Sequence, residues 1–399
     1  MWSSAGRRNR SIWPLPATSM IDGMSKRRPP ESVAEVALVF FVLGLVAFGG
    51  PAAHVALMRR ELVARRKWLP ENEFLRMFAA CNLIPGPSST ELAIYLGYRR
   101  AGWRGLVAGG VLFILPAMLI MLFIAWAYER YGTSSQALGI LYGIRAAVIG
   151  IVLWAIIDLG RRLVKRWTLV ILAAAVAGLF LIGINPVLLI GAGGLIAAAA
   201  SQVQPKPRVG TFALTTGLAL PAWSGGKLLT VLLTFLKLGV VSFGSGYVLY
   251  AFLHADFVQG LHWLTDKQLI DAIAIGQATP GPVFTTATFL GYLFAGVPGA
   301  LLATLGIFLP GFLLVPLLDR IVHLTERRAW AQGFVDGANA AAIGLIAAVT
   351  LQIGRSALID PLTIVIAVVA LGVVWKWPLA SPAVVLAAAL VGVARLAIS

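Results

Sequence analysis

A proline-glycine-proline motif occurs twice within apolar parts of the sequence, as Pro85-Gly86-Pro87 and as Pro280-Gly281-Pro282. Proline lacks an N–H group and clashes with the preceding helical turn, so a helix does not continue through this motif. The second proline of each motif suits the first position of a new helix. The unpaired N–H groups and the positive dipole end of that helix favour an anion. Each motif therefore predicts either an anion site or a structural kink, and their duplication favours the site.

Polar side chains accompany both motifs and could donate hydrogen bonds to an anion. Amides precede the motifs and hydroxyl groups follow them at once. The predicted substrate-binding residues around the motifs are therefore Asn82, Pro85, Gly86, Pro87, Ser88 and Ser89 in the first half, and Gln277, Pro280, Gly281, Pro282 and Thr285 in the second.

Glycine-rich breaks precede each motif by about 35 residues and extend the predicted site. Glycine lets a helix unwind and lets backbones approach closely. Close helix packing is the alternative interpretation of these glycines. The residues included are Gly49, Gly50, Gly244, Ser245 and Gly246.

Two ionisable residues within apolar segments are candidates for the chemistry of transport. Arg145 has apolar neighbours on both sides, and a guanidinium can bind a tetrahedral oxyanion through its fork of donors. Its repeat counterpart, Asn339, is a neutral donor and completes the predicted substrate site. Glu91 lies one turn after Pro87 and is the proton-coupling candidate. The alternatives are a snorkelling or ion-paired Arg145, and a Glu91 that stabilises the helix start or pairs with Arg145. His54 is interpreted as interfacial.

The elements that must position these residues are themselves duplicated. Phe48-Gly49-Gly50 returns as Phe243-Gly244-Ser245 at a spacing of 195 residues, as do the proline motifs, whereas Gly97-Tyr98 and Gly143 return 194 residues later. Duplicated hydrophobic halves with matching helix breaks are typical of secondary transporters. We predict an all-α polytopic membrane protein with two homologous helical halves, inverted in topology and built with broken or re-entrant helices.

Composition supports the membrane class. Of the 399 residues, 59% are hydrophobic and 12% are charged, against about 25% charged in soluble domains. The expected organisation is a basic, disordered tail (1–32), a first repeat (33–200), a linker (201–221) and a second repeat (222–399). The net charge of +16 reflects basic residues in short loops, which indicates cytoplasmic loops of an inner-membrane protein rather than a nucleic-acid partner.

The distribution of basic residues supports inversion but contains one conflict. The loop 59–67 carries five basic residues, whereas its copy at 254–262 has no lysine or arginine. If the helix over 33–57 crosses the membrane, however, the basic tail Lys26-Arg27-Arg28 lies opposite this loop. Either the tail breaks the positive-inside rule, or the glycine break turns the segment back.

Other classes receive little support from the sequence. The single cysteine, Cys81, excludes an internal disulfide, and the histidines lack metal-ligand spacing, so neither a metal nor a cofactor is expected. No motif of a hydrolase, a zinc protease or an ATPase occurs, and we expect no enzymatic activity.

The ordered motifs resemble those of the chromate ion transporter family, in its long form with two homologous domains. The resemblance rests on Asn82-Leu83-Ile84-Pro85-Gly86-Pro87, on Gly276-Gln277-Ala278-Thr279-Pro280-Gly281-Pro282, and on the two glycine breaks, and it covers nearly the whole chain after residue 33. It implies chromate export across the cytoplasmic membrane, driven by the proton motive force or by exchange, with chromate resistance as the result. Sulfate is the expected competitor, the bilayer is the surroundings, and a homodimer is left open. The alternatives are a transporter for sulfate or another oxyanion, and an anion channel.

Overall fold

The computed structural model describes residues 32–48, 50–163, 166–201, 226–243, 246–326, 329–377 and 380–398. The predicted tail, apart from residue 32, and the predicted linker, apart from residue 201, lie outside these ranges. The helices of the first half are α1 (Val33–Val46), α2 (Gly50–Met58), α3 (Glu71–Cys81), α4 (Ser88–Tyr131), α5 (Ser135–Leu163), α6 (Trp167–Leu181) and α7 (Pro186–Ser201).

The second half repeats this order. Its helices are α8 (Lys227–Val241), α9 (Val248–Leu253), α10 (Asp266–Ala278), α11 (Thr286–Leu314), α12 (Leu318–Glu326), α13 (Ala329–Ala357), α14 (Pro361–Lys376) and α15 (Ser381–Ile398). A π-helical segment extends α2 over Arg59–Arg65 and α9 over His254–Gly260. A 3₁₀ turn, Val283–Thr285, precedes α11, and another, Val315–Leu317, joins α11 to α12.

The first helix pair turns back on itself. The carboxylate of Glu35, near the start of α1, pairs with the guanidinium of Arg66, just after the π-helical segment, at 3.1 Å. Since α1 has 14 residues, it is about 21 Å long and is too short to cross a hydrocarbon core of about 30 Å. The glycine break therefore turns the chain back, which is the second of the two alternatives for this segment.

The helix α4 is also a hairpin, with a sharp turn at Ala101 and Gly102. Gly102 has φ +59°, a left-handed conformation that favours glycine. The two legs are α4a (88–100) and α4b (103–131), and they lie so close that a Cβ on Gly97 would overlap the carbonyl of Gly105. Residues eight apart in one straight helix would be about 12 Å apart, so the legs are antiparallel.

The helix α11 repeats this hairpin with its turn at Ala295 and Gly296, where the glycine φ is +60°. Its legs are α11a (286–294) and α11b (297–314), and the hydroxyl groups of Thr288 and Thr304 meet across them at 2.7 Å. Both halves thus contain a helical hairpin in which a short first leg is followed by a longer, antiparallel second leg.

Four segments of the described chain are long and apolar enough to cross a membrane: Ser88–Tyr131, Ser135–Arg161, Val283–Val322 and Trp330–Ala357. The first and third contain the hairpin turns, so their spanning parts are the long legs that follow Gly102 and Gly296. The leg α4b alone is roughly 43 Å long by helix rise. Many of its large apolar side chains, such as Phe123, are exposed and face the lipid. The protein is a multi-pass membrane protein.

The two halves are joined by long helices, each of which packs mainly against helices of the other half. The helix α5 packs against α14 and α15 of the second half, and α13 packs against α6 and α7 of the first half. A Cβ on Gly143 would overlap the carbonyl of Ala388, and a Cβ on Gly337 would overlap that of Gly193. These repeat-related glycines therefore allow the close crossings that join the halves.

Candidate anion-binding site

Each proline-glycine-proline turn is hydrogen-bonded to the helix break of the opposite half. The N–H of Gly86 donates to the carbonyl of Ser242 at 2.7 Å, and the N–H of Gly281 donates to the carbonyl of Ala47 at 2.8 Å. Both glycines have positive φ, +129° and +92°, a region that other residues rarely adopt. The four interruptions of the two repeats therefore meet in one place.

The turns lie at the inner ends of two re-entrant helix pairs, one made by α3 and α4a and the other by α10 and α11a. At the outer end of the first pair, Arg99 of α4a pairs with Glu73 of α3 at 2.9 Å. We call the turn at Gly86 the first tip and the turn at Gly281 the second tip. Pro85, Gly86 and Ser88 at the first tip are half-buried, whereas residues 279–291 around the second tip are buried.

The helix breaks contribute backbone to the same place. Gly50 has φ +80° at the start of α2, and a Cβ there would lie 3.6 Å from the hydroxyl of Tyr247. Gly246 is buried beside Tyr247. The other predicted break residues, Gly49, Gly244 and Ser245, lie outside the described residues. The sequence analysis missed Tyr247, although its position directly after the second break is a usable signal.

The new helices begin one residue later than predicted. Pro87 is the N-cap of α4a, and Pro282 is the N-cap of the 3₁₀ turn before α11, so neither proline occupies the first helical position. The first helical N–H groups after Pro87 belong to Ser88 and Ser89, and they have no acceptor one turn back in their own helix. The first tip is thus a helix start directed at the break of the other half.

Most predicted polar donors make internal hydrogen bonds. The amide of Asn82 donates to the carbonyl of Phe78 at 2.9 Å, and that of Gln277 donates to the hydroxyl of Tyr250 at 2.8 Å. The hydroxyl of Thr285 donates to the carbonyl of Pro282 at 2.7 Å. These side chains would have to rotate to bind an anion, so the backbone N–H groups are the better-placed donors.

His54 is buried and is not interfacial, contrary to the sequence interpretation. It is 1% exposed, and its Nδ1 lies 3.3 Å from the hydroxyl of Ser89 on α4a. The apolar ring of Phe113 packs edge-on against it. The sequence around His54 did not reveal this contact, because Ser89 is 35 residues away along the chain.

Glu91 lies directly behind the first tip. Its side chain is fully buried, and neither carboxyl oxygen has a hydrogen-bond partner within the described residues. A Cβ on Gly86 would overlap the Glu91 Oε1 atom, and Gly311 of α11b borders the Glu91 Cγ atom. An ionised carboxyl group in this position would be buried without a compensating partner, which is energetically costly. The alternative pairing of Glu91 with Arg145 is wrong.

Arg145 instead pairs with Asp271, an acid that the sequence analysis did not single out. The Arg145 Nη2 atom donates to Oδ2 of Asp271 at 2.8 Å, and Nε donates to Oδ1. The hydroxyl of Tyr128 donates to Oδ2 at 2.7 Å. Asp271 precedes Gln277 by six residues on α10, which places the pair about 9 Å from Gln277 along the helix axis.

Asn339, the repeat counterpart of Arg145, lies on α13. Its side-chain oxygen is buried without a hydrogen-bond partner within the described ranges. The structure therefore brings the two tips and the two breaks together, but it holds Arg145 and its ion pair to one side.

The sequence was compared with known proteins. A family model described as "Chromate transporter" matches residues 34–198 and again 229–393. A "Chromate transport protein" of Cupriavidus metallidurans is 34% identical over 395 residues, which cover 95% of this chain and 97% of that protein. A "Probable chromate transport protein" of Synechococcus elongatus is 32% identical over 384 residues, covering 93% of this chain and 98% of the relative. No solved structure matches the chain significantly.

Proposed function

The chain belongs to the chromate transporter family, and from this premise we propose that it exports chromate across the cytoplasmic membrane and so gives chromate resistance. The substrate site is the meeting point of the two tips, where helix starts and broken helices offer backbone N–H groups to a tetrahedral dianion. The observation that carries this proposal is the reciprocal hydrogen bonding of Gly86 to Ser242 and of Gly281 to Ala47.

Chromate would take the place of the carbonyl oxygens of Ser242 and Ala47, which accept hydrogen bonds from the tips. The N–H groups of Gly86 and Gly281 point at carbonyl oxygens of the opposite half, which are partial negative charges. An oxyanion is a stronger acceptor for the same donors because its hydrogen bonds are charge-assisted. Binding would therefore open the joint between the halves, which connects substrate binding to a movement of one half against the other.

An inverted arrangement of the halves supports alternating access. The hydroxyl of Tyr95, in the middle of α4a, donates to Asp319 of α12. Residues 297–319 separate Asp319 from the second-half hairpin turn at Gly296, and a helix of this length is about 34 Å long. In an inverted arrangement, the outer ends of the two re-entrant pairs would be about one membrane thickness apart, and the basic first-half end would face the cytoplasm.

Glu91 is the coupling residue of this proposal. It is buried without a partner behind the first tip, and it would exchange its proton in a step after substrate binding, when the loaded site opens to water. A dianion leaving the cell is helped by an inside-negative potential, at roughly 2.3 kcal/mol per charge per 100 mV. Exchange of the anion for protons would add the pH gradient as a second driving force.

Uptake of chromate into inverted membrane vesicles tests the proposal. In vesicles with a proton motive force, we expect chromate uptake by the wild-type chain and competition by excess sulfate. We expect no uptake when both Gly86 and Gly281 are replaced by alanine. Suppression of chromate uptake by sulfate at a concentration far below that of chromate would reassign the protein to sulfate. Flux that stays unchanged when the pH gradient is collapsed at fixed voltage would indicate an anion channel.

A further inference from the structure

The ion pair of Arg145 and Asp271 joins the two halves of the protein at a buried position. Asp271 on α10 is 1% exposed, and Arg145 on α5 has a side-chain exposure of 13%. Tyr128 near the end of α4b donates the third hydrogen bond of this cluster. The re-entrant pair of the second half is thus tied to two long helices of the first half through a single carboxylate.

No equivalent pair exists at the symmetry-related position within the described residues. The repeat counterpart of Asp271 is Arg76, an exposed residue, and that of Arg145 is Asn339. A buried ion pair contributes little net stability compared with apolar packing of the same volume. The first half is built without this pair at the corresponding position, which favours a role in transport over a general requirement of the repeat.

An oxyanion and Asp271 would compete for the same donors. Arg145 directs two of its five N–H donors at Asp271, and the same fork fits a tetrahedral oxyanion. Once an oxyanion occupies the fork, the Asp271 carboxylate would face a second negative charge in a poorly solvated place. Two such charges repel strongly where the dielectric constant is low.

We propose that Asp271 takes up one proton from water when an oxyanion binds Arg145, which makes Asp271 a proton-binding residue of the transport cycle. This inference rests on the proposed transport of oxyanions. The charges balance, because a neutral ion pair plus a dianion and a proton becomes an arginine–dianion pair beside a neutral carboxylic acid. Tyr128 can donate to Asp271 in both states, since a protonated carboxyl group keeps an acceptor oxygen.

Asp271 and Glu91 differ in their surroundings, which makes their roles separable. Asp271 is paired with Arg145, whereas the carboxyl oxygens of Glu91 have no hydrogen-bond partner within the described residues. Only Asp271 loses a cationic partner when an oxyanion binds Arg145.

The π-helical segment His254–Gly260, the 3₁₀ turn Val283–Thr285 and the helices α11, α13 and α15 also pack against α10. The ionisable groups of the π-helical segment have other partners, since His254 contacts Asp266 and Asp256 pairs with Lys237. Among the described residues, none of these elements contributes an ion pair or a hydrogen bond to Asp271.

The test is the pH dependence of sulfate binding to the purified full-length protein in detergent. Sulfate is the probe because it stays a dianion at neutral pH, whereas chromate itself takes up a proton near this range. One linked proton predicts that wild-type affinity falls about tenfold per pH unit over the pH range in which Asp271 is ionised in the free protein and protonated in the anion-bound protein. We expect Asp271→Asn to bind sulfate with no pH dependence, and Glu129→Gln, at an exposed acid, to keep the wild-type slope.

A second measurement covers the case in which Asp271→Asn does not fold, since that change leaves Arg145 unpaired. When sulfate is added in weak buffer, the wild-type protein should take up one proton per bound anion, and Glu129→Gln should do the same. Wild-type binding that is flat with pH, an unchanged slope in Asp271→Asn, or no proton uptake would each overturn the role of Asp271. Failure of the wild-type protein to bind either sulfate or chromate would instead overturn the proposed function.

Discussion

Single glycines decide whether the two halves can close on each other. Gly281 holds φ at +92°, and a Cβ at this position would overlap the methyl group of Ala117. We predict that Gly281→Ala abolishes chromate uptake and lowers the free energy of unfolding by about 1–3 kcal/mol through backbone strain. Thermal unfolding in detergent and vesicle uptake would measure both effects.

Gly178 supplies the matched control for this change. It lies in α6 without positive φ, and nothing lies within 4 Å of its Cβ position. Gly178→Ala should therefore leave uptake and the unfolding temperature near the wild-type values. Normal uptake and stability in Gly281→Ala would show that the second tip does not need its observed conformation.

Glu91 provides the second prediction at this scale. Glu91→Gln keeps the shape of the side chain but removes its proton exchange, so chromate uptake should no longer respond to a pH gradient. Glu129, an exposed residue at the end of α4b, is the control, and Glu129→Gln should behave as the wild-type protein. A Glu91→Gln variant that still responds to the gradient would remove Glu91 from coupling.

At the scale of single residues, some features of the site could be predicted from the sequence and others could not. The importance of Gly86 and Gly281 followed from local stereochemistry, because proline and glycine restrict their own backbone. The partner of Arg145 did not follow, because Asp271 is 126 residues away, in the other half of the chain. Its position in an otherwise amphipathic stretch gave no sign that it is buried.

At the scale of elements, short helices that enter and return are the building blocks of the site. The sequence predicted their breaks, since each lies at glycine or proline, and it left open whether the first pair crosses the membrane. The ion pair of Glu35 with Arg66 settles that α1 and α2 form a hairpin. The basic residues Arg99, Arg100 and Arg104 favoured a loop after the first short helix, and the structure turns there, at Ala101 and Gly102.

This hairpin predicts that both of its ends are accessible from one side of the membrane. In a Cys81→Ser background, Glu35→Cys and Arg66→Cys should both react with a membrane-impermeant thiol reagent applied to the same face. Cys81 must be removed because it is the only native cysteine, although it is buried. Labelling of the two positions from opposite faces would mean that the segment crosses the membrane.

At the scale of the whole molecule, the exchange of helices makes the halves one unit. The crossings of α5 and α13 rely on Gly143 and Gly337. The repeat register revealed that these glycines correspond, but not that each contacts the opposite half. That contact depends on tertiary packing between segments more than a hundred residues apart, which local sequence does not encode.

Inverted topology gives a prediction from repeat-matched positions. Trp103 and Val297 are 194 residues apart, follow the two hairpin turns, and are both exposed. In the Cys81→Ser background, Trp103→Cys should be labelled only from the cytoplasmic side and Val297→Cys only from the opposite side. Labelling of both from the same face would replace the inverted arrangement with a parallel one.

The account depends most on an oxyanion lying between the two tips. Anomalous diffraction from crystals grown with chromate would locate the chromium directly. We predict a peak within hydrogen-bonding reach of the first N–H groups of α4a, next to Gly86 and Gly281. A chromium peak at Arg145 alone, or at the protein surface with the tips still closed on Ser242 and Ala47, would contradict the account.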